Sequence, residues 1–392
     1  VGSGKTIVAL IAANNVVNAG YQVAFMAPTE ILSRQHYVLA KKIFSEKINV
    51  SLLTSKTENK EKKIIIEKIK KNKTNIVFGT HSLFQKKIIF KNLGFIIIDE
   101  QHKFGVKQRK GLSDKGGNNC DVLLMSATPI PRTLTMTIYG DMDLSVIKEK
   151  PKFRKEVRTY SKLESKIDEI VKYVKKEINN NNQIFWVCPL IEDSNKIDHV
   201  STKRRYDYLK KIFKNNVNVL HGNVDNEKKE SILNDFLNKK FSILISTTII
   251  EVGIDFPNAN VIIIENANKF GLSQLHQLRG RVGRGEKDST CILMFKSNLS
   301  ENAKKRIQIL KKSNDGFLIS EEDMKLRGYG DILGFKQSGI KNFKLADPIQ
   351  NEDLFILAEK EIKRIEKNEK SLIKYKPLLK LYDQAEIIND IV

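Results

Sequence analysis

The sequence predicts an α/β fold in which two domains, each built around a parallel sheet, follow one another along the chain. Short apolar runs alternate with helical segments in the first part of the chain and again after residue 164, a pattern that builds βαβ units with both sheet faces covered. Residues 95–98 are apolar throughout, as expected of a central parallel strand. Between the two alternations, residues 148–158 are charged, contain Pro151 and lack an apolar period, which predicts a connector between domains.

The elements follow in chain order. The first helix is expected to end near Ala19, with Gly20 just beyond its cap. In the first domain the pattern predicts strands at 22–27, 50–54, 75–79, 95–98 and 121–125, and helices at 31–44, 60–71 and 133–139. In the second it predicts helices at 164–178, 203–213 and 227–237, and strands at 183–189, 217–221, 241–246, 259–265 and 289–295. A helix at 302–312 and a glycine-rich loop come last, so we expect domains at 1–148, 149–299 and 300–392.

Composition narrows the class of protein. The formal net charge of +22 fits a nucleic-acid partner and equally fits a lysine-rich surface, so charge alone does not decide. No run of about 18 apolar residues is present, which predicts that no segment spans a membrane. The three cysteines are far apart and show no zinc-binding spacing. Cys120 and Cys188 lie in apolar, strand-like contexts, which predicts buried thiols in a reducing cytosol.

The chain opens on a candidate phosphate loop. Gly2, Ser3, Gly4, Lys5 and Thr6 run directly into an apolar helix. Such a loop cradles phosphates with backbone N–H groups, while the lysine reaches the β/γ oxygens and the threonine holds Mg²⁺. The pattern needs a further glycine, whose place falls before residue 1. ATP and Mg²⁺ are therefore the expected cofactors.

Two carboxylates follow the apolar strand at 95–98. Asp99 is placed to orient Mg²⁺, and Glu100 to polarise the water that attacks the γ-phosphate. A solvated acidic loop would look similar in isolation, but the pairing with Gly-Lys-Thr in one domain favours nucleotide hydrolysis. Ser126 and Thr128 follow the next strand, where they can cap a turn and also sense the phosphate state.

The second domain offers arginines to the same reaction. Three of the 13 arginines lie between residues 279 and 284. Arg281 and Arg284 are one helical turn apart and can point at one place, as arginine fingers do. A basic surface helix that binds nucleic-acid phosphate is the alternative, and Arg279, on another face, suits it better. Thr247 and Thr248 suit sugar-phosphate contact, and Asp255 the ribose or finger alignment.

These blocks, in this order, resemble superfamily 2 helicases. The residues around them resemble the RecG family more narrowly, in Asp99-Glu100-Gln101-His102-Lys103-Phe104-Gly105, in Ser126-Ala127-Thr128-Pro129-Ile130-Pro131-Arg132-Thr133 and in Phe270-Gly271-Leu272-Ser273-Gln274. Residues 315–339 resemble the translocation motif that RecG shares with the transcription-repair coupling factor. Tyr329 stands where that family usually has proline.

The resemblance implies two RecA-like lobes in tandem and a C-terminal helical hairpin and loop. It implies an ATP-dependent double-stranded DNA translocase that acts, as a monomer, on branched DNA at stalled forks and Holliday junctions, with single-strand-binding protein as a candidate partner. It adds Gln277 to the catalytic residues and Gly253 to the nucleotide contacts. It assigns DNA contact or coupling to Thr29, Thr80, His102, Arg306, Arg327 and Gln337.

Two other functions stay open. One is the motor of a transcription-repair coupling factor, against which Gln101 in the Asp-Glu-Gln-His block argues. The other is a non-catalytic nucleic-acid-binding protein, against which the intact Lys5, Asp99 and Glu100 argue.

The sequence yields a first testable prediction. A wedge domain and the adenine-reading elements would precede residue 1, so we expect the isolated chain to bind ATP weakly and not to reverse forks. The measurement is fork regression of a labelled synthetic fork, and reversal by the 392-residue chain would contradict the prediction.

Overall fold

The computed structural model describes residues 2–44, 48–85, 87–100, 120–126, 143–147, 149, 155–189, 195–222, 224–247, 256–283, 285–327, 351–366 and 377. The chain divides into two compact units. The first comprises residues 1–129 and 147–319 and contains both sheets. The second comprises residues 130–146 and 320–392.

The first sheet has five parallel strands in the order β2-β3-β1-β4-β5. The strands are β1 Gln22–Met26, β2 Val50–Leu53, β3 Ile76–Gly79, β4 Leu93–Ile98 and β5 Asp121–Leu124. In the part of this lobe that the structure describes, three helices accompany them: α1 Lys5–Asn18, α2 Glu30–Ile43 and α3 Asn59–Lys70. Every residue of β1, β3 and β4 is buried, because helices or loops cover both faces of a parallel sheet.

The second sheet has six parallel strands in the order β6-β11-β10-β7-β9-β8. They are β6 Val157–Leu163, β7 Gln183–Val187, β8 Val217–Leu220, β9 Ile243–Ser246, β10 Ala259–Ile264 and β11 Ser289–Phe295. The helices are α4 Ile167–Asn179, α5 Asn195–Phe213, α6 Asn226–Leu237, α7 Leu272–Arg279, α8 Glu301–Lys312 and α9 Gly316–Arg327. In the second unit α10 spans Glu352–Glu366.

Both sheets anchor the start of a central strand in the same way. Gln22 begins β1, and its Nε2 donates to the carbonyls of Ile69 (3.0 Å) and Thr74 (2.9 Å). Gln183 begins β7, and its Nε2 donates to the carbonyls of Phe236 (2.6 Å) and Phe241. In each lobe a buried amide thus donates to carbonyls at and beyond the end of a helix and ties that helix end to the start of the strand.

Most of the expected elements are confirmed to within three residues, and α1 ends as predicted, with Gly20 in the left-handed region at φ 89°. The connector prediction is wrong at its end, since Val157 and Arg158 begin β6, an edge strand that pairs in parallel with β11. Helix α5 starts at Asn195 and not at residue 203. Helices α9 and α10 were not predicted from the apolar pattern. The helix expected at 133–139 lies outside the described residues.

The described residues include no helix with the length and apolar character needed to cross a lipid bilayer. They also contain no group of three or more His, Cys, Asp or Glu side chains that could hold a metal ion. Cys188 is buried as expected, whereas Cys120, which was also expected to be buried, is only half-buried; Cys291 is buried as well. Burial raises the pKa of the Cys291 thiol to about 12. Burial, and to a smaller extent the negative charge of Asp121, raises the pKa of the Cys120 thiol to about 11.

The thiols give a second prediction. Because the thiolate is the reactive form, we expect maleimide at neutral pH to leave Cys188 and Cys291 of the folded protein unmodified and to label all three cysteines after denaturation. Their raised pKa values also mean that an unfolded thiol ionises first, above roughly pH 8.5, so folding stability falls as pH rises beyond that value. Mass spectrometry of labelled peptides is the measurement, and rapid native labelling of Cys291 would contradict the prediction.

Candidate functional site

The phosphate-loop residues lead into the N-terminus of α1. Gly4 is the cap of α1 and is left-handed at φ 88°, and Gly2 is left-handed at φ 71°, a conformation that favours glycine. The first turn of α1 holds no acidic residue. Lys5 therefore adds its charge to a helix end that is already positive, and both Lys5 and Thr6 are partly exposed.

The two carboxylates follow β4, in the middle of the first sheet. Asp99 is 7% exposed, and its N–H donates to the carbonyl of Met26 at 2.9 Å. Its Oδ1 accepts the N–H of Glu100 at 3.0 Å, and its Oδ2 lies 3.0 Å from Nε2 of His36. Glu100 is partly exposed and left-handed at φ 52°, a costly conformation for a non-glycine residue that concentrates at functional sites. A fixed buried carboxylate thus stands beside an accessible one.

Two predicted DNA-contact residues follow neighbouring strands of this sheet. Thr29, after β1, caps α2 with its hydroxyl, which accepts the N–H of Leu32 at 3.4 Å. Thr80, after β3, is 8% exposed. Ser126 is partly exposed and follows β5. Because parallel strands end at one edge, these hydroxyls lie on the same side of the sheet as Asp99.

The second lobe carries its candidate residues after β9 and on and just after α7. Thr247 follows β9 and is 2% exposed. Gln277 lies on α7 and is partly exposed, whereas Arg281, just after that helix, is 4% exposed. Gly283 is left-handed at φ 75°, a backbone conformation that favours glycine. A Cβ at this position would also lie 2.9 Å from Cγ2 of Val157 in β6, so both the backbone and the packing favour glycine. Arg284, Thr248, Gly253 and Asp255 lie outside the described residues.

Arg279 is a structural residue and not a surface phosphate ligand. It is 3% exposed, which overturns its assignment to a basic surface face. Its Nη1 donates to the carbonyls of Leu310 (2.6 Å) and Ser313 (2.9 Å) and to the hydroxyl of Thr159 (3.4 Å), and its Nη2 lies 3.1 Å from Nδ1 of His276. Burial lowers the pKa of this guanidinium. The side chain joins α7 to the C-terminal end of α8 and to β6.

Arg306 makes a second link between α8 and the region of α7. From α8 its Nη1 donates to the carbonyl of Phe270 at 2.7 Å and its Nη2 to that of Asn268 at 3.2 Å. Both carbonyls lie just before α7, so α8 and the segment that carries Gln277 and Arg281 are held together from both ends. The side chain of Arg327, and residues His102 and Gln337, lie outside the description.

A buried ionic cluster lies at the carboxyl edge of the second sheet. Trp186 is fully buried in β7, and its indole N–H donates to Glu265. Nε of Arg205, on α5, donates to the same carboxylate oxygen. Glu265 is 8% exposed. This cluster ties α5 to β7 and β10 at the edge where a parallel sheet presents its functional groups.

Sequence reasoning missed His36 and the role of Arg279. A single histidine in an amphipathic helix carries no local signal, because its partner Asp99 is 63 positions away. Arg279 was noticed for its position in an arginine-rich motif, which gave no indication that its acceptors are backbone carbonyls about 30 residues further along.

Comparison with known families agrees with this architecture. The profile described as DEAD/DEAH box helicase matches residues 1–137, and that described as helicase conserved C-terminal domain matches 165–286. The profile for ATP-dependent DNA helicase RecG, domain 3, C-terminal, matches residues 313–382. Two parallel-sheet lobes with these matches define a helicase motor of superfamily 2.

Curated relatives identify the family. The chain is 46% identical over 97% of its length to the ATP-dependent DNA helicase RecG of Aquifex aeolicus, and 46% identical over 90% of its length to that of Bacillus subtilis. The chain belongs to the RecG family. It spans 49% and 52% of those two relatives, or about half their length.

Solved structures give the same result. A structure titled as RecG bound to a three-way DNA junction superposes with a TM-score of 0.73 at 42% identity, covering 90% of this chain and 46% of that one. S. cerevisiae Dbp5 bound to RNA and ADP BeF3 superposes with a TM-score of 0.59 at 17% identity, covering 83% of this chain and 86% of that one. The second likeness shows the shared two-lobed fold alone.

The hydrogen bonds of Arg279 give a third prediction. Arg279→Ala removes the donor to the buried carbonyl of Leu310 in α8 and to the partly buried carbonyl of Ser313 just after it, so we expect the free energy of unfolding to fall by about 3 kcal/mol. Urea denaturation followed by circular dichroism is the measurement. The matched control is Arg204→Ala, because Arg204 is exposed and its loss should cost less than about 0.5 kcal/mol. Equal stability of the two variants would contradict the prediction.

Proposed function

We propose that the chain is the motor of an ATP-dependent translocase that moves on double-stranded DNA and remodels branched DNA, such as stalled forks and Holliday junctions, in recombination and repair. The observation that carries the proposal is the match of residues 313–382 to a RecG-specific profile, beyond the two lobes that many helicases share. The structure of a relative titled as RecG bound to a three-way DNA junction supports branched DNA as the substrate. The RecG-specific match also disfavours a transcription-repair coupling motor.

In this proposal the first lobe binds the triphosphate of ATP. Gly2, Ser3 and Gly4 present backbone N–H groups, and Lys5 neutralises the phosphate oxygens. The hydroxyl of Thr6 and the carboxylate of Asp99 are hard oxygen donors, which fit Mg²⁺, and both Asp99 oxygens are already oriented by hydrogen bonds. When bound, Mg²⁺ neutralises charge on the phosphates.

Glu100 is the proposed base. Its carboxylate is partly exposed and adjoins Asp99 on the chain, so it can accept a hydrogen bond from the attacking water while Asp99 stays in place. The proton removed from that water passes to the Glu100 carboxylate or onward to the phosphate. Ser126, at the end of the adjacent strand, is available to sense the loss of the γ-phosphate.

The second lobe completes the reaction in this proposal. Arg281 and Arg284 stabilise charge on the transferred phosphoryl group, with Gln277 beside them, and Gly253 and Asp255 contact the nucleotide. Arg281 is 4% exposed in the structure. The proposal therefore requires its surroundings to change as nucleotide binds, as lobe closure does in related motors.

Lobe movement is then coupled to DNA. Thr29, Thr80, His102, Thr247 and Thr248 are proposed to contact DNA or to sense it, and the net charge of +22 favours binding to its backbone. Arg306, Arg327 and Gln337 are proposed to pass the movement to the C-terminal hairpin, and the contacts of Arg306 to the segment before α7 supply one such path. The same proposal includes action as a monomer, a single-strand-binding protein as partner and a cytosolic location. It also includes domain bounds at 1–148, 149–299 and 300–392.

Replacement of the proposed base is the fourth prediction. Glu100→Gln keeps the shape of the side chain but removes the base, so we expect DNA-stimulated ATP hydrolysis by the completed protein, with its upstream residues present, to fall at least about 100-fold, with ADP binding within a factor of about two. A coupled assay of phosphate release measures the rate, and isothermal titration measures ADP affinity.

The matched control is Glu61→Gln, an exposed glutamate on α3 in the same lobe, which should hydrolyse ATP at the parent rate. Equal rates for Glu100→Gln and the parent protein would overturn the assignment of Glu100. Negligible ATP hydrolysis by both proteins would favour a non-catalytic nucleic-acid-binding role.

A further inference from the structure

His36 is in direct contact with Asp99, the proposed magnesium ligand. It is on α2, is 6% exposed, and places Nε2 3.0 Å from Oδ2 of Asp99. A histidine in a buried position needs a partner for its polar atoms. Here that partner is the one carboxylate of the first lobe that the proposed reaction needs in a fixed position.

The direction of the hydrogen bond follows from the chemistry of the two groups. An ionised carboxylate only accepts hydrogen bonds. Nε2 of His36 therefore carries the hydrogen and is the donor of the hydrogen bond to Oδ2 of Asp99. The other oxygen, Oδ1, accepts the N–H of Glu100. The two donors approach different oxygens and therefore fix the rotation of the carboxylate plane, which one donor alone would leave free.

The imidazole ring is itself held in place. Its centroid lies 4.8 Å from that of Phe25 in β1, and Phe25 stacks on Phe78 in β3 at 5.1 Å. Both phenylalanines are fully buried. Because aromatic rings in a close-packed core keep their rotamers, the donor atom of His36 has a defined position relative to the sheet and so to Asp99.

These hydrogen bonds leave room for a ligand. Each carboxylate oxygen can accept more than one hydrogen bond or bind a metal with its second lone pair. Both Asp99 oxygens therefore keep acceptor capacity for Mg²⁺ or for water bound to it. The arrangement matches the way outer-shell partners orient a metal-binding carboxylate.

We propose that His36 is a positioning residue that orients the Asp99 carboxylate for Mg²⁺. The inference depends on the proposed function, because it takes Asp99 to be the metal ligand of a nucleotide site. His36 does not contact the nucleotide or the reacting atoms. Its contribution is to hold one carboxylate oxygen in the direction required for binding.

Three variants of His36 separate the hydrogen bond from the bulk of the side chain. His36→Gln places an amide donor close to the position of Nε2. His36→Asn has the same amide one methylene shorter, near the position of Nδ1, where it does not reach Asp99. His36→Leu fills the space without a donor. The Gln and Asn variants are thus a matched pair that differs in reach and not in chemistry.

The measurement is the affinity of ADP at increasing MgCl₂, by isothermal titration, with a parallel series in EDTA. We expect His36→Leu and His36→Asn to raise the MgCl₂ concentration for half-maximal enhancement by roughly 10- to 100-fold, and His36→Gln to restore it to within about threefold. ADP affinity in EDTA should be the same for all four proteins. In ATP hydrolysis, excess MgCl₂ should recover the rate of the Asn variant.

Each result decides the matter. If the parent protein shows no Mg²⁺-dependent ADP binding, the nucleotide site fails and the role of His36 with it. If the parent shows that dependence and the Asn and Gln variants both match it, the role of His36 alone is overturned. If His36→Leu does not fold, the Asn and Gln pair still gives the comparison. Equal losses of ADP affinity in EDTA for Asn and Gln would indicate a packing role and would also overturn it.

Discussion

Parallel strands that are buried on both faces leave reactive groups only beyond their ends. Every residue of β4 is buried, and the first polar side chain after it is Asp99. In the second sheet β10 is buried throughout and is followed directly by Glu265. The apolar core needed for stability therefore forces the polar residues to the carboxyl edge of each sheet, where the loops that bind ligands in α/β proteins also lie.

Groups at such an edge are still largely buried, so their charges need partners. Removing an ionised side chain from water costs several kcal/mol unless hydrogen bonds replace the solvent. Asp99 has His36 and a backbone N–H, Glu265 has Trp186 and Arg205, and Arg279 has three oxygen acceptors. Most of these partners come from a helix or strand other than the one that carries the charge: His36 from α2, Trp186 from β7, Arg205 from α5 and Thr159 from β6. The same contacts that make buried charge tolerable therefore join the elements that carry the functional motifs.

Much of the fold was predictable because its signals are local. Segments such as residues 95–98 are continuous apolar runs, and the phosphate loop and the Asp-Glu pair are contiguous motifs. Strand β6 escaped because it is an edge strand with alternating exposure and both Arg158 and Lys162 on its outer face, a composition that protects sheet edges and does not read as core. His36 and Arg279 escaped because their partners lie far along the chain and include backbone atoms. Periodicity carries no information about such pairs.

Gly283 belongs both to a local sequence motif and to a contact between distant parts of the chain. In the sequence it is one glycine of an arginine-rich motif, where it lets the backbone pack closely against a partner that the sequence does not identify. In the structure its positive φ and the 2.9 Å separation between a built Cβ and Val157 show that it packs against β6, the strand the sequence did not predict. Thr159, on the same strand, accepts from Arg279. The arginine motif thus depends on β6 for its shape, and a motif that looks self-contained in sequence is built from two distant segments. Residues that fix such a motif in space need not lie within it, and for that reason the groups that orient a site are harder to read from sequence than the groups that perform its chemistry.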